Sequence, residues 1–136
     1  MSVLKRLGLG WGADEKPAAS RGRAAEDRAL THLLAQGLAL VERNYRVARG
    51  PARRGGEIDL VMRDRDATLV FVEVRSRRNA HHGGAAASVG HAKRASLIYA
   101  ARHYLLRFRA PPACRFDLVA IDGDALEWLP GAFDAG

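Results

Sequence analysis

Hydrophobic positions along this chain change period several times, and the changes divide it into elements. From about Arg21 to Gln36, Ala29, Leu30, Leu33 and Leu34 recur at helical spacing, and Gly37 supplies a stop. Leu38 to Val47 reads as a first strand, Glu57 to Arg63 as a second and Thr68 to Ser76 as a third, with polar residues from Arg63 to Ala67 turning the last two into a hairpin. Ser88 is placed to cap a long helix reaching about Phe108, beyond which Pro111 and Pro112 forbid continuation. A last core strand is predicted from Cys114 to Ile121, and Asp122-Gly123-Asp124 turns the chain into a short edge strand from Leu126 to Leu129. Residues 1–20 hold no sustained period and are expected to form a mobile tail, leaving 21–136 as a single domain.

Acidic residues interrupt two of these strands. Glu57 and Asp59 lie in the run Gly56-Glu57-Ile58-Asp59-Leu60-Val61, and Glu73 lies in Val70-Phe71-Val72-Glu73-Val74-Arg75. An ionised carboxylate in such a setting costs several kcal/mol unless it is paired, hydrogen-bonded or bound to a cation. Strand alternation puts Glu57 and Asp59 on one face, and Phe71, Glu73 and Arg75 on one face. A hairpin register that joins those faces makes Asp59 and Glu73 neighbours, and Mg2+ or Mn2+ is the natural partner of two converging carboxylates. Glu57, about 7 Å from Asp59 along the strand, is open to three roles: a group behind the ligands, a ligand through water, or a salt-bridge partner.

Two charged residues fall on apolar helix faces. Glu26 precedes Leu30 and Leu33 on the first helix, where it either points toward the sheet or reaches water beside Arg23 or another arginine. Lys93 shares a face of the long helix with Val89, Ser96, Leu97, Ala100 and Tyr104. Lysine occurs only at Lys5, Lys16 and Lys93, so Lys93 is the one lysine of the expected folded core.

Taken together, Arg43-Asn44-Tyr45-Arg46, Gly56 to Leu60, Phe71 to Arg75, Lys93-Arg94 and Arg115-Phe116-Asp117 resemble the YraN-type family, a bacterial group assigned to the PD-(D/E)XK nuclease superfamily and similar to archaeal Holliday-junction resolvases. The resemblance covers about Arg21 to Ile121. It implies an α/β, restriction-endonuclease-like core of order α-β-β-β-α-β, a mixed sheet flanked by helices. It also implies metal ligands at Asp59 and Glu73, with Glu26 as a third, because related resolvases carry an acidic residue in that helix. Arg75 stands where the signature has lysine, and since arginine stays protonated it can hold a phosphate but not act as a general base. Within the superfamily the active-site lysine sometimes comes from the helix, which gives Lys93 that role. Asp59, Glu73, Arg75 and Lys93 are thus the expected catalytic set.

A net charge of +7 and a pI near 10.5 fit a nucleic-acid partner, and the resemblance to junction resolvases implies DNA over RNA. Arg43, Arg46, Arg49, Arg53 and Arg54 precede the Asp59 strand and Arg75, Arg77 and Arg78 close the next, flanking the acidic site with phosphate-gripping groups. Sparse aromatics argue against an extended base-stacking platform. No apolar stretch approaches a membrane span, and residues 1–11 lack a signal-peptide core, so a cytoplasmic protein is expected. Cys114, alone, forms no internal disulfide and reads as a buried inert thiol. His81, His82 and His91 lack zinc-ligand spacing and read as solvated; Gly83 to Ala87 lacks a phosphate-loop pattern; Asp117 reads as a structural group with an arginine partner. Two main functions follow: a Mg2+- or Mn2+-dependent endonuclease acting on structured or branched DNA, or a catalytically weak nucleic-acid-binding module on the same scaffold. Analogy with junction enzymes adds a homodimer. A weaker third reading is a protein-interaction subunit using the edge strand and tail.

Overall fold

A computed structural model describes residues 18–48, 55–77 and 89–134. In chain order its elements are α1 (Ala18–Ala35), β1 (Ala39–Val47), β2 (Gly56–Arg63), β3 (Leu69–Arg77), α2 (His91–Leu105), β4 (Cys114–Asp122) and β5 (Ala125–Phe133). The strands form one five-stranded sheet in the order β1-β2-β3-β4-β5. Pairing is antiparallel except between β3 and β4, which run parallel because α2 carries the chain back to the starting edge. The α-β-β-β-α-β order and mixed sheet match the expected restriction-endonuclease-like class, with β5 added.

The two helices lie over opposite faces. On α1, Ala25, Ala29 and Leu33 recur every fourth residue and pack on Leu60, Met62, Val70, Val72, Val119 and Ile121. Gly37, with φ 102°, ends the helix by letting Leu38 N–H reach back to the Leu33 carbonyl at 3.1 Å. On α2, Leu97, Ala100, Ala101 and Tyr104 cover Ile58, Val61, Leu69, Phe71 and Phe116. Gly56 permits that closeness, since a Cβ there would lie 2.5 Å from the Ser96 carbonyl oxygen. Each large apolar side chain buried in these two layers contributes about 1.5–3 kcal/mol.

Several boundaries differ from the sequence reading. Helix α1 starts at Ala18 rather than Arg21, and α2 runs only from His91 to Leu105, with Gly90 at its N-cap and no side-chain cap bond. Ser88 lies outside the described residues. Strand β5 is nine residues long rather than a short segment, because Pro130-Gly131 forms a bulge instead of a stop. Gly131 has φ 59° and its N–H donates to Asp117 Oδ1 at 2.9 Å, which keeps the edge strand attached. Cys114 is exposed rather than buried, since it opens β4 at the end of the sheet; partial burial still pushes its thiol pKa upward, away from the reactive thiolate. Among the described residues no helix is long and apolar enough to cross a membrane.

Candidate functional site

The hairpin register brings the two strand carboxylates together. Pairing between β2 and β3 runs from Arg63 opposite Leu69 to Leu60 opposite Val72 and then stops, while β3 continues beside β4 to Arg77 opposite Asp122. The strands fork there, and Asp59 Oδ2 accepts the Val74 N–H at 2.9 Å, so a carboxylate stands where a ladder carbonyl would otherwise be. Glu73 is the next residue into the fork from Val72.

Strict alternation fails at this point. Ile58 and Val61 pack under α2, whereas Leu60 and Met62 pack under α1, so one step of β2 near Asp59 does not change face. Asn44 of β1, between the pairs Arg43–Leu60 and Tyr45–Ile58, has φ 54°, a left-handed backbone that asparagine tolerates better than most residues. The two neighbouring strands therefore kink together. The position opposite Asn44 is Asp59.

Glu73 is only 2% exposed, and its Oε1 is a buried side-chain atom without a hydrogen-bond partner while both acids are ionised; only a proton shared with Asp59 joins the two carboxyls. Its Oε2 lies 3.6 Å from Arg75 Nη1 and 3.6 Å from Lys93 Nζ. Burial, followed by the charge of Asp59, lifts its pKa to about 8 against the pull of Lys93 and Arg75. Asp59 is raised as well, chiefly by burial and against the Val74 hydrogen bond. Two acids at the fork thus resist simultaneous ionisation in the protein alone, and they titrate as a pair.

The other expected residues divide into groups. Lys93 extends from the first turn of α2, with its side chain 31% exposed, and it meets Glu73 as its helical position implied. Glu57 pairs across the β1–β2 ladder with Arg46 at 3.3 Å, which makes it a salt-bridge partner. Glu26 accepts from Asn44 Nδ2 at 2.9 Å and lies 3.6 Å from Arg43, whose guanidinium is held more closely by Asp27 at 2.9 Å. Burial first and then Asp59 raise the Glu26 pKa, so it feels the fork while anchored to β1. Among the described residues no three histidine, cysteine or acidic side chains converge as a metal cluster. Arg46 remains exposed beside a cleft of about 380 Å3 that Gly56, Glu57, Lys93 and Ser96 also line. Arg49, Arg53, Arg54, Arg78, His81 and His82 lie outside the described residues, and of Arg77 the backbone alone is placed, opposite Asp122. His91 is exposed on the first turn of α2.

The family model of an uncharacterised protein family, UPF0102, matches residues 25–121. The chain belongs to the UPF0102 family. It is 59% identical over 138 residues to a UPF0102 protein of Paracidovorax citrulli, with 100% of both chains covered. It is 65% identical over 114 residues to one of Methylibium petroleiphilum, covering 84% of this chain and 93% of that one. A third, from an Acidovorax species, is 61% identical over 123 residues, with 90% and 91% covered.

This UPF0102 chain also holds contacts that the sequence reading did not specify. Asp117, 0% exposed, accepts from Arg115 Nε at 2.9 Å, Arg115 Nη2 at 3.3 Å, Trp128 Nε1 at 2.9 Å and Gly131 N–H at 2.9 Å. Arg115 also reaches Asp64 at 2.8 Å, which ties the β2–β3 turn to β4. The expected arginine partner is thus joined by two further donors. Arg94, on the turn that carries Lys93, lies over the Phe133 ring at 5.4 Å from its centroid. A compositional signal did exist for that region, since no acidic residue occurs between Glu73 and Asp117.

Proposed function

We propose that the chain is a metal-dependent nuclease of the PD-(D/E)XK kind, hydrolysing phosphodiester bonds in structured or branched DNA, with Asp59 and Glu73 as ligands of Mg2+ or Mn2+. The observation that carries this reading is the orphaned, buried Glu73 Oε1 beside Asp59 at the strand fork. A native fold retains an unsatisfied buried acid at a cost of several kcal/mol, and a divalent cation removes that cost. Two carboxylates fit Mg2+ well, because it commonly binds one or two and completes its octahedron with water and substrate phosphate. When bound, the ion supplies Lewis-acid charge and lowers the pKa of the attacking water.

The chain's own residues do the rest. Lys93 and Arg75, both 3.6 Å from Glu73 Oε2, place two cations where negative charge grows as the water oxygen attacks phosphorus and the ester oxygen leaves. Lys93 can also deliver a proton, which Arg75 cannot. Glu26, held by Asn44 and raised in pKa first by burial and then by Asp59, would join the site only as a ligand through water.

One observation favours a second reading. The same two cations already offset part of the Glu73 charge, and under that reading the chain binds structured nucleic acid and cuts weakly or not at all. Purified protein incubated with linear, flapped and four-way-junction DNA in Mn2+ separates them. Cleavage that Asp59→Ala abolishes supports the nuclease; binding without cleavage supports the module.

A further inference from the structure

Helix α2 packs on β1, β2 and β3, so its side of β4 and β5 has almost no helix above it among the described residues. Two adjoining cavities, of about 570 and 320 Å3, open there and share Arg94, Ala132 and Phe133. Their volumes fall in the range of small-molecule sites or near its lower end. The floor is apolar and aromatic: Phe133 stacks on Phe116 with centroids 5.1 Å apart and planes at 15°, and Leu118 and Leu129 continue it.

Leu118 is the register partner of Glu73, so the groove begins one strand away from the acid at the fork. Lys93 and Arg94 are consecutive on α2, and one turns to Glu73 while the other arches over Phe133. Arg115, on the far wall, is committed to Asp64 and Asp117. Arg94 has no carboxylate partner among the described residues and is the cation available to a ligand.

We propose that this groove seats an unpaired nucleobase next to the scissile phosphate, stacked on the Phe133 ring, with the exposed Arg94 side chain, now 5.4 Å from the ring centroid, swinging outward to lie over the base's other face. The substrate then carries at least one unpaired nucleotide at the cut. This rests on the nuclease reading and deepens it. A planar π system matches an aromatic floor under a planar cation. A fully paired duplex cannot offer the base, because its bases are stacked inside the helix.

The test is a fluorescence-anisotropy titration, without divalent ion and at fixed low salt, of a blunt DNA duplex and of the same duplex carrying a short unpaired flap. The parent is expected to bind the flapped probe about tenfold more tightly, on the scale of one base stacked on an aromatic ring. Arg94→Ala and Phe133→Leu should bring the two probes within about twofold of each other while affinity for the blunt duplex changes little. Arg94→Lys, which keeps the charge and loses the plane, should also lose the preference. Because Phe133 supports Phe116, its variant is read together with the exposed Arg94 variants, which leave the core intact. Equal binding of both probes by the parent overturns the nucleobase site and leaves the nuclease reading standing, as does a preference that survives in Arg94→Lys or Arg94→Ala. Binding of neither probe overturns the nucleobase site as well, and the Mn2+ cleavage assay decides the nuclease reading by itself.

Discussion

Asp117 and Glu73 are buried acids on adjacent strands of one sheet, 0% and 2% exposed, yet they live in opposite circumstances. Asp117 is saturated by Arg115, Trp128 and the Gly131 N–H. Glu73 keeps one oxygen without a partner, faces a second acid, and meets its two cations only at 3.6 Å. Burial alone therefore does not mark a functional carboxylate. The distinction lies in whether the fold has already supplied the partners that burial demands. At Asp117 it has, and the acid holds together the β2–β3 turn, β4 and β5. At Glu73 it has not: one oxygen has no hydrogen-bond partner and the nearest cations stand 3.6 Å from the other.

The largest expected consequence falls on Asp117. Asp117→Ala leaves Trp128 and Gly131 without their acceptor and Arg115 with Asp64 alone, and urea denaturation should show a loss of about 3–5 kcal/mol, the same with or without metal. A loss below about 1 kcal/mol would break the comparison from the structural side.

Next comes pH. The folded Glu73 pKa of about 8 exceeds its ordinary value of 4.5, so between those values the folded protein binds more protons than the unfolded chain. Its neutral form is favoured throughout that window, and stability should fall as pH rises from about 4.5 to about 8, by something on the order of 3 kcal/mol in the metal-free protein. Glu73→Gln should remove most of this slope and leave the variant more stable than the parent at the alkaline end. Denaturation midpoints across the range decide it, and a parent without the slope would mean that the acid is not frustrated.

Lys93→Met should reduce cleavage about 100-fold, equivalent to about 2.7 kcal/mol, while nucleic-acid binding persists. Single-turnover rates measure it. Arg75→Lys should change the rate by less than about tenfold, in either direction, because it restores an amine to the position beside Glu73 without removing charge. If instead Arg75→Lys revives an inactive parent, the chain is the binding module of the second reading.

Much of this contrast was legible in the sequence. Acidic residues within runs of Val, Ile, Leu and Phe identified Asp59 and Glu73, since burial energetics does not depend on knowing the fold. The element order followed from period changes, and the apolar face of α2 placed Lys93 toward the sheet. Other parts were not legible, for physical reasons. The kink at Asn44 is a backbone state that a single asparagine permits without announcing. Glu26 could reach the fork or β1, and only the position of Asn44 and Arg43 shows where its oxygens bond. The edge strand was expected to end at Leu129 because a bulge pinned by a distant carboxylate, as at Gly131, has no local signature. Cys114 stood in an apolar run, but the strand's first residue lies where nothing covers it.

The central claim is that the acid pair at the fork is completed by a divalent cation. Thermal unfolding of the parent and of Asp59→Asn, each with and without Mg2+ or Mn2+, tests it most directly. The account predicts that metal raises the parent Tm, that Asp59→Asn shows no such rise, and that without metal the variant is at least as stable as the parent. A parent Tm that ignores both metals, or a metal-free Asp59→Asn that melts well below the parent, would contradict it.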